Sequence, residues 1–396
     1  MRAVTFQGTA DIETKEVDNP RIEQPTDALL KISSAAICGS DLHMYDGRTP
    51  LEEGKILGHE IIGAIEAVGE GVVQIRPGDR VVLPFNIACG SCYNCVRGWT
   101  NACLISNPES AGAGYGYAGM GPYSGGQAEY VRVPYADFNA LKLPGNPYDK
   151  WENDFLMLAD IFPTAWHANE LAHVTMGSSV AIYGAGPVGL LSILSARLRG
   201  ASEIYCIDAV QSRLDKAKEM GATPINFSEG IPSEQIISLR KSNKNLVKSQ
   251  RKGEEKRLEG VDCVIDAIGY QAHDFKAPDQ EEANEALEDA IKLVLPTGAI
   301  GLIGVYMPQD PGASTANLKE GKFTIPLGTA WDKGVSIGMG QCPVKRYNEF
   351  LRDLIIAGKA DPGTIVSHEA TISEAAEYYE RFNSREEGMT KVILHP

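Results

Sequence analysis

Four cysteines within one short stretch dominate what this chain could do chemically. Cys89, Cys92, Cys95 and Cys103 read C-x2-C-x2-C-x7-C. Thiolates this close in a glycine-bearing loop can surround zinc tetrahedrally without a distant fold to gather them. An iron–sulfur cluster uses comparable spacing, though nothing else in the sequence points to an electron-transfer chain. Disulfides are disfavoured in a cytosolic chain. Four thiolates leave no open position, so such a zinc would hold a loop together and do no chemistry.

A second constellation is dispersed. Cys38 sits in ICGSDLH, and His59 and Glu60 sit in GHE. Spacing alone does not show that they meet, and a lone Cys or His in a β-rich region is usually a packed core residue. A third constellation is contiguous: GAGPVG, Gly184 to Gly189, is a G-x-G-x-x-G containing Pro187 and Val188. It follows an apolar strand pattern and opens a helical one, the context that gives the motif meaning. Gly184 permits a tight turn, Gly186 lets backbone approach a pyrophosphate, and Gly189 lets helix and strand pack closely. The helix N-terminus offers free N–H groups to phosphates. Asp208 ends the next apolar run, IYCID. A carboxylate there accepts from ribose hydroxyls and repels a 2′-phosphate, which favours NAD over NADP. Arg213 is nearby and could accommodate that phosphate; here it reads as a cover for the adenine edge.

These residues need two kinds of scaffold. Up to about residue 150, short apolar runs (AVTF, ALLKIS, IIGAIEAVG, RVVLP) are broken by glycine and proline, a β-rich pattern with many turns. Beyond Trp151 the pattern changes. SSVAIYG, EIYCID, VDCVIDAIG and GAIGLIGVY read as strands, and PVGLLSILSARLRG and AVQSRLDKAKEMGA as helices between them. That alternation predicts a parallel, doubly wound sheet. The tail offers a helix-like NEFLRDLIIAGK and a final strand, TKVILHP. Residues 239–257 carry eight basic and two acidic residues. They read as a solvated helix or insertion, with a basic flap near the cofactor phosphates as the sharper alternative.

The chain has 396 residues, enough for two domains, and a formal net charge of −15. Nucleic-acid binding depends on cationic neutralisation of phosphates, so an acidic chain argues against that class. The N-terminus lacks a signal-peptide core, and no apolar run is long enough to span a membrane. The expected compartment is the cytosol.

CGSDLH, GHEIIGAIEAVGEGV, the four-cysteine loop, GGQAEYVRVP and GAGPVG occur in the order and spacing of zinc-containing medium-chain dehydrogenases. The chain resembles that family over nearly its whole length. FLMLADIFPTAWHA, YMPQDPGA and GQCPVKRYN are similar to its glutathione-independent formaldehyde dehydrogenase branch. The resemblance implies a GroES-like β-rich catalytic domain, residues 1–160 with 338–396, and a Rossmann cofactor domain, residues 161–337. It implies a catalytic zinc held by Cys38, His59 and Asp160, an aspartate standing where liver-type enzymes have cysteine. Glu60 would sit behind the metal, and Ser40 and His43 at proton-relay positions. Gly39, His43 and Thr164 would approach the nicotinamide, and Val188, Asp208 and Arg213 the pyrophosphate and adenosine. Ile268, Val305 and Gly340 match later cofactor-lining positions. The basic 239–257 segment departs from the branch.

The implied activity is hydride transfer from an alcohol or aldehyde hydrate to NAD, with one catalytic and one structural zinc per chain. The protein would act on a small molecule, as a homodimer or homotetramer. Two readings compete. A zinc polyol or secondary-alcohol dehydrogenase of the sorbitol or threonine type would differ in pocket volume. A non-catalytic zinc-binding protein would leave GAGPVG and Asp208 unexplained.

Overall fold

A computed structural model describes residues 1–243 and 259–396. Its contacts divide the chain into two units, Met1–Pro163 with Cys342–Pro396, and Thr164–Gln341. The joints lie three and four residues beyond those expected from sequence. The first falls inside the helix Ile161–Leu171, where no turn or composition change marks it.

The first unit is built on a seven-stranded sheet. Along it run His368–Thr371, Val392–His395, Ala28–Ile37, Glu60–Val68, Arg80–Leu83 and Leu141–Lys142, with Tyr130–Val133 also paired to Ala28–Ile37. A separate hairpin joins Arg2–Gly8 to Asp11–Glu16. One core cluster gathers Leu30, Ile32, Ile61, Ile65, Val81, Leu83 and Val131. Another gathers Val4, Phe6, Ile37, Met44, Tyr379, Val392 and Leu394. Gly63 lets two strands come unusually close: a Cβ there would lie 2.1 Å from the Lys31 carbonyl oxygen.

Register is what matters for chemistry. Ala36 pairs with Glu60, and Ile37 pairs with Val392. The strand Ala28–Ile37 therefore ends where Glu60–Val68 begins and beside the start of Val392–His395. Three sequence-distant stretches, at residues 38, 59–60 and 391, converge at one sheet end. After Ile37 the chain turns into the short helix Gly39–Tyr45, capped by Cys38, whose backbone N–H donates to Asp41 Oδ2 at 3.0 Å.

The second unit is a six-stranded, wholly parallel sheet. Its order is Thr223–Asn226, Glu203–Asp208, Ser179–Tyr183, Val261–Asp266, Val294–Leu302, Ser336–Met339. The strand order reverses direction between Ser179–Tyr183 and Val261–Asp266, the switch point at which such sheets bind ligands. The helices include Pro187–Leu198, Gln211–Glu219 and Glu285–Leu293. In the last of these Ala286, Leu287, Ala290, Ile291 and Leu293 are buried, the stripe a sheet-packed helix requires. The basic stretch expected at 239–257 begins inside the helix Pro232–Ser242, where Arg240 is buried and pairs with Glu203 at 2.9 Å. Leu239, Lys241, Ser242 and Asn243 around it are exposed, so that end is a solvated helix end anchored by one buried arginine; residues 244–258 lie outside the described residues. No described helix is long and apolar enough to cross a membrane.

Candidate metal centres and dinucleotide site

Cys89, Cys92, Cys95 and Cys103 converge in one loop with their sulfurs within 4.8 Å of one another. Cys89 and Cys95 sulfurs are 4.0 Å apart, and Cys92 and Cys103 sulfurs 3.9 Å. Zn–S bonds of about 2.3 Å in a tetrahedron need S···S distances of about 3.8 Å, whereas a disulfide needs about 2.05 Å. Backbone amides aim at the sulfurs: Cys92 N–H reaches Cys89 Sγ at 3.3 Å, Leu104 N–H reaches Cys92 Sγ at 3.4 Å, and Cys89 N–H reaches Cys103 Sγ at 3.4 Å. Burial raises the Cys103 thiol, but Ser106 and nearby amides outweigh it and bring it down to about 6. The set fits a structural zinc with no open position.

The second group is built from three segments. Cys38, His59, Glu60 and Asp160 are all buried and offer ligand atoms within 4.8 Å of one another. Asp160 follows the helical turns Glu152–Leu156 and Met157–Ala159, fixed to the sheet by Phe85 N–H donating to the Ala159 carbonyl at 2.8 Å. His59 Nε2 lies 3.3 Å from Asp160 Oδ2 and 3.4 Å from Ser40 Oγ, so this nitrogen faces the group. Its Nδ1 lies 3.2 Å from Asp41 Oδ1. A carboxylate on the far ring nitrogen is the usual support of a metal-binding histidine. Burial disfavours a charged His59, but Asp41, Cys38 and Asp160 outweigh it and hold the ring well above its ordinary value. Burial raises the Cys38 thiol, opposed by His59.

Glu60 carries the test of whether the group fits a metal. Its Oε1 accepts from Lys391 Nζ at 2.5 Å, and both residues are fully buried. Its Oε2 is buried and has no hydrogen-bond partner among the described residues. A buried, unpartnered carboxylate oxygen costs free energy, and it occurs beside a thiol, an imidazole and a second carboxylate. Four potential anions, Cys38, Glu60, Asp160 and Asp41, face one lysine and one histidine. The excess negative charge and the orphan oxygen both fit a cation. Asp41 and Lys391 were not singled out from sequence. Asp41 lay inside the CGSDLH motif; Lys391 is 331 positions from Glu60 and carried no local signal.

In the second unit GAGPVG behaves as its glycines demand. Gly184 has φ +96°. A Cβ at Gly189 would lie 1.8 Å from the Gly184 carbonyl oxygen, while one at Gly186 meets nothing within 4 Å. The turn thus faces open space above the helix Pro187–Leu198, whose first residue is Pro187. Asp208 ends its strand and accepts from Ala185 N–H at 2.8 Å through Oδ2, and from Ala209 and Val210 N–H at 2.8 and 2.9 Å through Oδ1. It locks the turn and keeps acceptor capacity on its carboxylate oxygens. Arg213 stands in the first turn of the helix Gln211–Glu219. Ile268, Val305 and Gly340 follow the C-terminal ends of three neighbouring strands. Of the residues expected at the nicotinamide end, Gly39 and His43 belong to the first unit and Thr164 to the second.

Comparison with known proteins decides the family. The alcohol dehydrogenase GroES-like domain model matches residues 24–145, and the zinc-binding dehydrogenase model matches residues 187–339. A glutathione-independent formaldehyde dehydrogenase of Pseudomonas aeruginosa is 39% identical over 394 residues, covering 97% of this chain and 95% of that protein. This chain belongs to the zinc-containing alcohol dehydrogenase family. A formaldehyde dismutase of Pseudomonas putida is 35% identical over 365 residues, covering 90% of this chain and 87% of that protein. Among solved structures, an alcohol dehydrogenase from Thermus sp. ATN1 matches with a TM-score of 0.81 at 35% identity, covering 100% of this chain and 99% of its own. As a zinc-containing alcohol dehydrogenase, the chain is a zinc-dependent, NAD-linked oxidoreductase. Its two ligand groups fit the family's structural and catalytic zinc.

Proposed function

We propose that this enzyme oxidises formaldehyde or another short aldehyde, as the hydrate, or a primary alcohol, with NAD as hydride acceptor. For an aldehyde hydrate, one C–H hydrogen leaves as hydride, one O–H proton is released, and the product is the carboxylic acid. The observation that carries this reading is the buried convergence of Cys38, His59, Glu60 and Asp160 around an unpartnered carboxylate oxygen. The similarity to a formaldehyde dehydrogenase and a formaldehyde dismutase supports a small aldehyde.

In this proposal Cys38, His59 and Asp160 would hold the catalytic zinc with Glu60 behind them, and Cys89, Cys92, Cys95 and Cys103 would hold the structural one. Zinc bound there would supply Lewis acidity, and NAD would supply the hydride acceptor. The chain's own residues do the rest. Asp41 fixes the His59 ring so that Nε2 faces the site. Ser40 Oγ, 3.4 Å from that nitrogen, is placed to receive the substrate's proton. His43, one turn further along the same helix, carries it outward, and an imidazole is suited to that because its pKa lies near neutrality. Gly184, Gly186, Pro187, Val188 and Gly189 cradle the pyrophosphate. Asp208 and Arg213 bind the adenosine half, and Gly39, Thr164, Ile268, Val305 and Gly340 line the rest of the cofactor. Residues 1–163 with 342–396 form the catalytic domain and 164–341 the cofactor domain. A cytosolic setting and a homodimer or homotetramer complete the proposal, the latter read out by light scattering.

The test is zinc content together with NADH formation from formaldehyde, ethanol, benzyl alcohol, sorbitol and threonine, without glutathione. Two zincs per chain and turnover of formaldehyde support the reading. Turnover confined to sorbitol or threonine overturns the substrate assignment and leaves the dehydrogenase intact.

A further inference from the structure

The buried carboxylate Asp266 takes no part in the chemistry described above, yet it stands at the switch point of the parallel sheet. It ends the strand Val261–Asp266 and is fully buried. Oδ1 accepts from the backbone N–H groups of Ile268 at 2.8 Å and Gly269 at 3.1 Å. Oδ2 accepts from the Tyr306 hydroxyl at 2.7 Å. Its own carbonyl accepts from Ile303 and Gly304 N–H at 3.0 and 2.9 Å. One residue thus ties the turn after its own strand to the turn after the neighbouring strand Val294–Leu302.

The two turns are in close contact. Gly269 bridges to Val305. A Cβ on Gly269 would lie 2.3 Å from the Val305 carbonyl oxygen, and one on Gly304 would lie 2.2 Å from Gly269 N. Ile268 in turn presses on the glycine-rich turn, since a Cβ on Gly184 would lie 2.9 Å from its Cγ1. Tyr306 is held on its other side by Phe323, ring centroids 4.9 Å apart and edge to face. Burial, then the Asp266 charge, raise the Tyr306 hydroxyl, so it stays protonated and donates.

We propose that Asp266 and Tyr306 form a clamp that sets the cofactor-lining side chains Ile268 and Val305 against the glycine-rich turn before NAD arrives. They are positioning residues: they act through Ile268, Gly269 and Val305. The proposal rests on the reading of GAGPVG as the dinucleotide site. A wall fixed in advance spares the cofactor the free energy of ordering two loops, so losing the clamp weakens NAD binding and leaves hydride transfer from the bound complex intact.

The experiment titrates NADH by fluorescence into the zinc-loaded enzyme and three variants, and follows amide hydrogen exchange in the wild type. Tyr306→Phe removes one hydroxyl. It is expected to raise the Kd for NADH and the KM for NAD about ten-fold, with kcat at saturating NAD within about two-fold. Asp266→Asn can still accept from both amides and donate to the Tyr306 oxygen, so it should stay within about three-fold of wild type. Gly186→Val blocks the open face of the turn and should abolish binding. In the cofactor-free wild type, the Ile268 and Gly269 amides should be protected. Wild-type affinity in Tyr306→Phe, beside lost binding in Gly186→Val, overturns the clamp and leaves the site reading standing. Should Tyr306→Phe not fold, rapid exchange of the Ile268 and Gly269 amides in the wild type overturns it instead. A wild type that binds no NADH removes the site reading and the clamp with it.

Discussion

The two zinc-fitting groups lie in the same unit and are assembled in opposite ways. The four cysteines come from one loop of fifteen residues, and their sulfurs approach to 3.9 and 4.0 Å because the loop turns on itself. Cys38, His59, Glu60 and Asp160 come from two strand ends and a helical turn, and they meet because Ala36 pairs with Glu60 and Phe85 N–H holds the Ala159 carbonyl, while the pairing of Ile37 with Val392 brings Lys391 to Glu60. A local group needs spacing; a dispersed one needs register, where a slip of one residue would turn every side chain to the other face. The first would leave a zinc bound there no open position. The second keeps an acid oxygen without a partner. Damage to each should therefore read out differently.

Asp160→Ala sharpens this contrast most. It should remove one of two zincs and lower kcat/KM by about 10³-fold or more, several kcal/mol of Lewis-acid stabilisation being lost. Tm should change little, because Ala159 and not Asp160 makes the backbone bond to Phe85. Cys103→Ala should do the reverse. It should also remove one zinc, but with a fall of roughly 6–12 °C in Tm for a loss of about 3 kcal/mol and a modest change in kcat per folded molecule. Zinc analysis, melting and kinetics on the same preparations decide. If Asp160→Ala keeps both zincs and full turnover, the ligand assignment is wrong.

Lys391→Met probes the register directly. Lys391 and Glu60 are both fully exposure-free, and the lysine also donates to the Ile37 carbonyl at 3.0 Å. Removing one partner of a buried pair typically costs about 3–5 kcal/mol, because the other charge stays buried and alone. Adding Glu60→Gln should restore much of that stability. Thermal melts of the two single variants and the double variant give the coupling, and additive losses would show that the pair does not hold these strand ends together.

How much of this was legible in the sequence follows from the same contrast. The four-cysteine loop and GAGPVG were readable because their geometry is local: Gly184 needs its positive φ and Gly189 its missing Cβ whatever surrounds them. The central parallel strands were readable as apolar runs. The two edge strands, Thr223–Asn226 and Ser336–Met339, were not. They are four residues long, the first contains Pro224, and the second is exposed at both ends. Cys38 and His59 could be named only through resemblance, since no spacing rule says which strands pair. Lys391, Asp41 and the Asp266–Tyr306 bond were invisible for the same reason. Each depends on register or on a turn packed against another turn.

GAGPVG shares a property with each metal group, since its geometry is local like the cysteine loop's and its proposed role is to face a ligand, and a pair of substitutions separates those properties. Gly189→Ala places a methyl 1.8 Å from the Gly184 carbonyl oxygen. Backbone must move, so both Tm and NADH affinity should fall. Gly186→Val places its side chain where nothing lies within 4 Å, at φ −70° and ψ −177°, which valine adopts without strain. Its Tm should stay within about 2 °C of wild type, less than 1 kcal/mol for a unit of this size. NADH binding should nonetheless be lost, a far larger effect than the ten-fold, or about 1.4 kcal/mol, expected of Tyr306→Phe. A stable protein with lost binding means that the open space is where the dinucleotide goes. Unchanged affinity would mean that the turn serves only the packing of helix on strand, and the cofactor site would have to be sought elsewhere.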